Sequence, residues 1–325
     1  MAGWIRVYAS QLDCSGASLF WAGSPPDELC RSIREVGQLD PVLIRAHDEG
    51  YKLLSGYRRA AFLAQEHREI TARCLPGPGS PLEDGLLYLH ANTHRPLDEP
   101  MRVQALRYFQ PLLEPEELTR CVAPLLGVPP RSGIWRKYLA WIELPVFWDD
   151  LLRVGNVPLA AGTILARLRQ DELEALRPYF EAWKWSQGRA VQWLTLLQET
   201  VLGRGWSLVQ TLEAVDGRRV LESGLAPQDA LQALTTQAKA LRYPQLDGMG
   251  YRFGDLAKRL FGSSRWEIIP SPNFESDAVE LRLRARSVED LRAAARALNE
   301  ATAPESPLGC LKGLFQIAQD EQSEP

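Results

Sequence analysis

Between residues 82 and 240 the chain reads almost wholly as helix: leucine, alanine and tryptophan recur at helical spacing, and prolines break the run at intervals. A middle built this way must bury helix against helix, so any sheet has to come from the flanks. Ahead of the block, "PVLIR", "HDEG" and "YKLLS" read as two short β-segments joined by a tight turn, and "ITARCL" reads as a further strand. Behind it, "RWEIIP" and "DAVELRLRAR" read as a strand pair. The expected fold class is therefore α+β and multi-domain. A small α/β N-terminal domain would occupy residues 1–100, an all-helical part 101–245, a small β-hairpin-plus-helix unit 246–303 and a tail 304–325. With 325 residues, 45% of them hydrophobic, the chain has apolar surface enough for two or three domains.

Local signals place the first elements. Ser24, Pro25 and Asp27 mark a helix start, with Leu29, Ile33 and Val36 on one face and Gly37 as the left-handed stop. "YKLLS" closes at Gly56, and from Tyr57 the positions Tyr57, Ala60, Ala61 and Ala64 fall on one helical face. Arg58 and Arg59 then sit in the first turn of that helix, where unpaired N–H groups and the macrodipole already carry partial positive charge. An anion there, phosphate or carboxylate, would remove the conflict. Pairing of one arginine with a neighbouring acid and solvation of the other would remove it equally well. "PGPGSP", residues 76–81, reads as a punctuated loop.

Residues 116–144 have the layout of a helix-turn-helix: Leu118, Val122 and Leu125 on a first helix, a turn at Gly127, and a second helix after Pro129 and Pro130. Ile134, Tyr138 and Trp141 share one side of the second helix. Arg131, Arg136 and Lys137 are left outside, as phosphate and base-edge contacts in a major groove require. By itself the pattern fits ordinary bundle packing as well. In the tryptophan-rich stretch, Trp185, Val191, Trp193, Leu194 and Leu197 are spaced for a helical core rather than for stacking on bases. Near the C-terminus, Val279, Leu281, Leu283 and Ala285 alternate inward. Ser287 and Asp290 open a helix with Leu291, Ala294, Ala295 and Leu298 on one face. So small a unit gains by packing on a second copy, which makes it a candidate dimerisation module. Beyond Pro304 a short helix and a frayed acidic end are expected.

The formal net charge of −4 excludes a whole-chain electrostatic footprint for a polyanion, so any positive surface must be local. No window approaches the roughly 18 apolar residues of a membrane span, and the start lacks the pattern of a signal peptide, so a cytoplasmic location is expected. Cys14, Cys30, Cys74, Cys121 and Cys310 are never spaced as metal ligands or a redox pair. His90 and His94 lie at helical spacing around Asn92, but two ligands without a third read as surface or interface residues. No catalytic constellation can be assembled from the four histidines, and no acidic cluster suits a two-metal nuclease.

Three stretches, in order, resemble the ParB family of chromosome- and plasmid-partition proteins. They are "LCRSIREVGQLDPVLIRAHDEGYKLLSGYRRAAFLAQEHREITARCL", "ANTHRPLDEPMRVQALRYF", and "LTRCVAPLLGVPPRSGIWRKYLAWIELPVFWDDLLRVGNVPLAAGTILARL". Together they cover about the first half of the chain. The resemblance implies a ParB/sulfiredoxin-like N-terminal domain that binds CTP with a magnesium ion, a central helix-turn-helix on DNA, a homodimer, nucleoid association and a partition ATPase as partner. Carried over by position, Gly56, Arg58 and Arg59 would cradle phosphate, with Asn92 and Arg95 opposite. Tyr57 stands where the family has a glutamate, and Ala91 where it has an acid. Both changes remove carboxylates and count against metal-assisted hydrolysis. The arginine that the family carries ahead of the first helix has no counterpart in "SGASLFWAGSPPDEL". Sulfiredoxin chemistry is set aside, because Tyr57 also replaces that branch's cysteine and Cys74 lies at the end of the following strand.

The preferred reading is a site-specific, dimeric DNA-binding protein of ParB type, in partition or transcriptional regulation, gated by a nucleotide such as CTP. The alternative is a nucleotide-binding enzyme or regulatory adaptor that uses the same N-terminal domain without DNA.

Overall fold

The structure, a computed structural model, describes residues 3–47, 50–261, 266–276 and 278–302. It is mixed α+β and divides into two compact units, Met1–Val191 and Gln192–Pro325.

The first unit opens with a five-stranded sheet. Its strands are β1 (Gly3–Val7), β2 (Leu12–Asp13), β3 (Val42–His47), β4 (Gly50–Ser55) and β5 (Ile70–Leu75), in the order β1-β5-β3-β4-β2. The expected hairpin is present as the antiparallel pair β3/β4, although Asp48 and Glu49 of its turn lie outside the described residues. β5 runs parallel to β3 and antiparallel to β1, while β2 pairs parallel with β4. The two strands before residue 20 are not foreshadowed by alternation: β2 has two residues, and β1 exposes Trp4 at 66%. Val42, Ile44, Leu53 and Leu54 are fully buried and place the core on the central strands.

Helix α1 (Asp27–Val36) ends, as expected, at Gly37, whose φ is 82°. Its start differs from the expectation. Pro26, not Ser24, holds the extended cap position, with no side-chain cap bond, because the proline ring fixes φ just ahead of the helix. Of the three apolar positions only Ile33 is buried, and Val36 is 60% exposed. Helix α2 (Tyr57–Gln65) follows β4 directly through Gly56.

Helices α3 (Pro81–Ala91) and α4 (Glu99–Phe109) come next. A single turn, α5 (Pro115–Glu117), then passes into a π-helical turn at Leu118–Val122. Pro124 supplies no N–H to continue this run, which stops at a turn where Gly127 has φ 67°. Helix α6 (Gly133–Ile142) is capped by Ser132, whose hydroxyl accepts from the Trp135 N–H at 3.2 Å. Leu118 and Val122 are buried as expected. On α6 the buried face is Trp135, Tyr138, Trp141 and Ile142, while Ile134 is 37% exposed. Trp135 takes the expected place of Ile134 because its indole N–H reaches the Thr119 hydroxyl at 3.0 Å and ties the two helical segments together. Helices α7 (Phe147–Arg153), α8 (Gly162–Leu165) and α9 (Gln170–Ala182) complete the unit. The division between units falls within α10 (Gln187–Arg204). Trp185, Trp193, Leu194 and Leu197 are all buried, as their spacing requires.

In the second unit, α11 (Leu208–Ala214), α12 (Gly217–Glu222), α13 (Pro227–Arg242) and α14 (Pro244–Phe261) precede the antiparallel hairpin of β6 (Trp266–Pro270) and β7 (Val279–Leu283) and the helix α15 (Val288–Thr302). Met249 and Phe253 of α14 form a small core with Ile268, Phe274 and Val279. The hairpin is less covered than its alternation suggests: Val279 and Leu283 are half-buried, while Leu281 is 41% exposed and Ala285 lies beyond the strand. On α15 only Ala294 is fully buried, with Leu298 half-buried and both Leu291 and Ala295 exposed. Ser287 and Asp290 do cap it, the Ser287 hydroxyl accepting from the Asp290 N–H at 3.1 Å. The helix and acidic end expected beyond Pro304 lie outside the described residues. Among the described residues, no helix is long and apolar enough to cross a membrane.

Candidate functional site: an arginine-lined pocket and an arginine-lined hollow

The β4–α2 junction is built around Gly56, which takes φ 94° as the residue before the first helical turn. A Cβ there would lie 2.8 Å from Cγ1 of the fully buried Val42 and 3.1 Å from Nη2 of Arg59. Only glycine meets both the torsion and the space. Gly56→Ala is expected to lose about 1–3 kcal/mol of stability, read as a lower denaturant midpoint in urea unfolding.

Around this junction lies a cavity of about 380 Å³ lined by Gly56, Arg58, Arg59, Asn92 and Arg95, together with Trp21 and Tyr88. The five residues selected from sequence thus meet at one place. The two arginines of α2 divide the alternatives between them. Arg59 pairs with an acid, donating to the Asp40 carbonyl at 3.1 Å and lying 3.5 Å from its carboxylate. Arg58 pairs with no acid among the described residues, and its buried Nε–H has no hydrogen-bond partner.

Arg95 enters from the turn after α3. Its guanidinium lies 5.8 Å from the centre of the Trp21 ring and donates to the Trp21 carbonyl at 3.3 Å. Trp21 is itself anchored by its indole N–H on the Met101 carbonyl at 2.8 Å. Asn92 terminates α3 and donates its amide to the Tyr88 carbonyl at 2.8 Å. The electrostatics are those of crowded cations. Burial lowers the Arg59 pKa, with Asp40 opposing. Burial lowers that of Arg95 too, and the neighbouring Arg58 adds to the effect. The Tyr88 phenol is pushed up by burial, opposed by Arg95, the Trp21 backbone and Arg58. Each direction is what desolvation of a charged form and repulsion between like charges produce.

Sequence reasoning missed Trp21, Tyr88, Asp40 and Ser55 as lining residues. "LFWAG" held the one usable signal, a tryptophan in a polar entry segment. His94 lines this pocket, whereas His90 lines a different hollow beside residues 75–80, so the two histidines do not act as a pair.

A second concave surface, about 1190 Å³, lies between the α5 segment and α6, with Arg120, Arg131 and Arg136 in its lining beside Glu116, Glu117 and Trp135. Arg131 and Arg136 are exposed and meet here, Arg131 with φ 61° just ahead of the Ser132 cap. Lys137 is half-buried and is not among the lining residues. Arg120, which sequence reasoning passed over, sits 3.5 Å from Glu117 on the first helical segment. The turn preceding α6 is held by Arg102, whose Nε–H donates to the Leu126 carbonyl at 3.0 Å.

The four described cysteines, Cys14, Cys30, Cys74 and Cys121, are free and half-buried, and burial together with Asp13 pushes the Cys14 thiol up.

No family model matches the chain, and no curated protein matches it. Among solved structures, the C-terminally truncated chromosome-partitioning protein ParB from Caulobacter crescentus complexed to the centromeric parS site is similar at 14% identity and a TM-score of 0.33. That match covers 72% of this chain and 98% of that one. The same protein complexed with CTP-gamma-S is similar at 18% identity and a TM-score of 0.21, over 55% of this chain and 99% of that one. Similarities this loose bear on neither the ligand nor the partner of this chain.

Proposed function

We propose that this chain is a site-specific DNA-binding protein of ParB type with an anion-binding, nucleotide-responsive pocket at the start of α2. The observation that carries the reading is the convergence of Gly56, Arg58, Arg59, Asn92 and Arg95 on one cavity, with the buried Arg58 Nε–H lacking an acceptor among the described residues. Guanidinium groups beside a helix N-terminus suit phosphate oxygens, which accept forked, charge-assisted hydrogen bonds. CTP is the nucleotide that the sequence resemblance implies.

The hollow at α6 supplies the DNA-facing part of a helix-turn-helix. Arg131 and Arg136 act as its main contacts and Lys137 as a flanking phosphate contact. In this reading residues 1–100 form the anion-binding domain, 101–245 the helical DNA-binding part and 246–303 the dimerisation unit. Exposed Leu281, Val288 and Leu291 in the last of these are what a second copy would cover. A partition ATPase as partner and a cytoplasmic, nucleoid-associated location follow from the resemblance.

The test is crosslinked immunoprecipitation of the tagged protein from its own cells, with Arg136→Ala as control, followed by titration of the recovered site against salt. Discrete peaks that vanish in the variant are expected. In vitro, the variant should bind more weakly, with the slope of log K against log salt reduced by about 0.9 for the lost phosphate contact. No enrichment above the variant would overturn the DNA reading in favour of the enzyme or adaptor.

A further inference from the structure

A magnesium-bound polyphosphate needs hard oxygen donors from the protein, commonly one or two carboxylates beside the phosphate oxygens. The arginine pocket does not offer them. Its one lining carboxylate is Asp40, whose side chain is 85% exposed and lies 3.5 Å from Arg59. Tyr57 and Ala91, which stand where the family resemblance places acids, both line the pocket. Asn92 donates its amide N–H to the Tyr88 carbonyl, which leaves its side-chain oxygen as a neutral donor that brings no negative charge for a divalent ion. Among the described residues, no three His, Cys, Asp or Glu side chains converge as metal ligands. The magnesium ion that the resemblance implies does not fit this donor set.

The pocket carries the opposite charge. Arg58, Arg59 and Arg95 line it with Asp40 as the one carboxylate among the described lining residues and Asp98 acting on Arg95 from outside the lining, and the Arg58 Nε–H is buried without an acceptor. Three guanidinium groups, one of them shared with Asp40, face a ligand such as a diphosphate, which bears roughly three negative charges near neutral pH. Guanidinium forks would then supply the neutralisation that a divalent ion supplies elsewhere.

We infer that this pocket binds a diphosphate or longer polyphosphate group as the metal-free anion, with Arg58, Arg59 and Arg95 in the place of the cation. The inference rests on the anion-binding reading above. It has a consequence of definite sign: magnesium and the arginines compete for the same oxygens, so the ion weakens binding.

The experiment is isothermal titration of inorganic pyrophosphate into the full chain at fixed ionic strength, in metal-stripped buffer and again with magnesium in excess over ligand. Binding is expected in the stripped buffer and should weaken at least about tenfold with magnesium, the equivalent of one charge-assisted contact. Arg58→Gln and Arg95→Gln, which keep the side-chain bulk, should each weaken metal-free binding by a similar factor. Binding as tight or tighter with magnesium overturns the metal-free inference and leaves an anion site. Binding unchanged in both variants places the anion elsewhere and overturns it as well. Absence of pyrophosphate binding under either condition overturns both the inference and the anion reading on which it rests.

Discussion

Asp84→Ala is expected to destabilise the protein by about 3–5 kcal/mol, the cost of stripping a buried cation of its counter-charge. Asp84 lies in the first turn of α3, with its side chain 3% exposed, and receives the Arg45 guanidinium at 3.2 Å and the Lys52 ammonium at 2.8 Å. Arg45 is buried on β3, where its Nη1 donates to the carbonyls of Pro76 and Gly77 at 3.0 and 3.1 Å and its buried Nε–H finds no acceptor. The proline-glycine loop is thus folded over a guanidinium. A Cβ on Gly79, whose φ is 69°, would fall 2.4 Å from Arg45 Cζ. Urea unfolding followed by tryptophan fluorescence reads the loss directly. Faster cleavage between residues 76 and 80 by a protease of broad specificity would show that the loop has been released. The double change Arg45→Met with Asp84→Leu should recover part of the stability, because it removes the buried pair with its desolvation penalty and leaves the Lys52 ammonium, 28% exposed, to be neutralised by water. If Asp84→Ala lowered stability by no more than an exposed substitution does, the ion pair would not be what holds the loop to the sheet.

Arg107→Ala is expected to cost roughly 3 kcal/mol, since several charge-assisted hydrogen bonds of about 1.5–3 kcal/mol each are lost and water replaces only some of them. Arg107, on α4, forks onto Asp149 at 3.0 and 3.1 Å and also donates to the carbonyls of Ile142 and Leu144 at the end of α6. A cation at a helix C-terminus is favourable in its own right. Asp149 accepts in addition from the indole N–H of the fully buried Trp141 at 2.8 Å. One side chain therefore ties α4, α6 and α7 together, and its loss should loosen the helix that carries Arg136. Arg107→Lys keeps the charge but not the fork, and about half the loss should remain. Thermal unfolding measures the stability. Hydrogen exchange of the α6 amides should rise in the alanine variant, and unchanged exchange there would separate Arg107 from the placing of α6.

Much of the fold was legible because its determinants are local. Gly37 ends α1, the runs at 42–47, 50–55 and 70–75 form strands, and Gly56 turns into α2. Each of these outcomes depends on torsional preference and periodicity within a few residues. On α6 Tyr138 and Trp141 are buried as expected and only the first position differs, Trp135 for Ile134, because that choice rests on a hydrogen bond to Thr119 in another segment. The burial of β7 and α15 was overestimated for a related reason. Alternation shows which face is apolar, but only neighbouring elements decide how much of it is covered.

The sequence by itself determined where the chain turns at Gly37 and Gly56, which segments beyond residue 40 of the N-terminal part are helix or strand, and that Arg58 and Arg59 stand at the opening of a helix. Only the tertiary structure decided that Arg59 has an acid and Arg58 none among the described residues, that Arg95 is brought against them over the Trp21 ring, and that Arg45 is buried beneath the loop at 76–81. Backbone preference acts between near neighbours in the chain, whereas the energy of a desolvated charge depends on everything that packs around it.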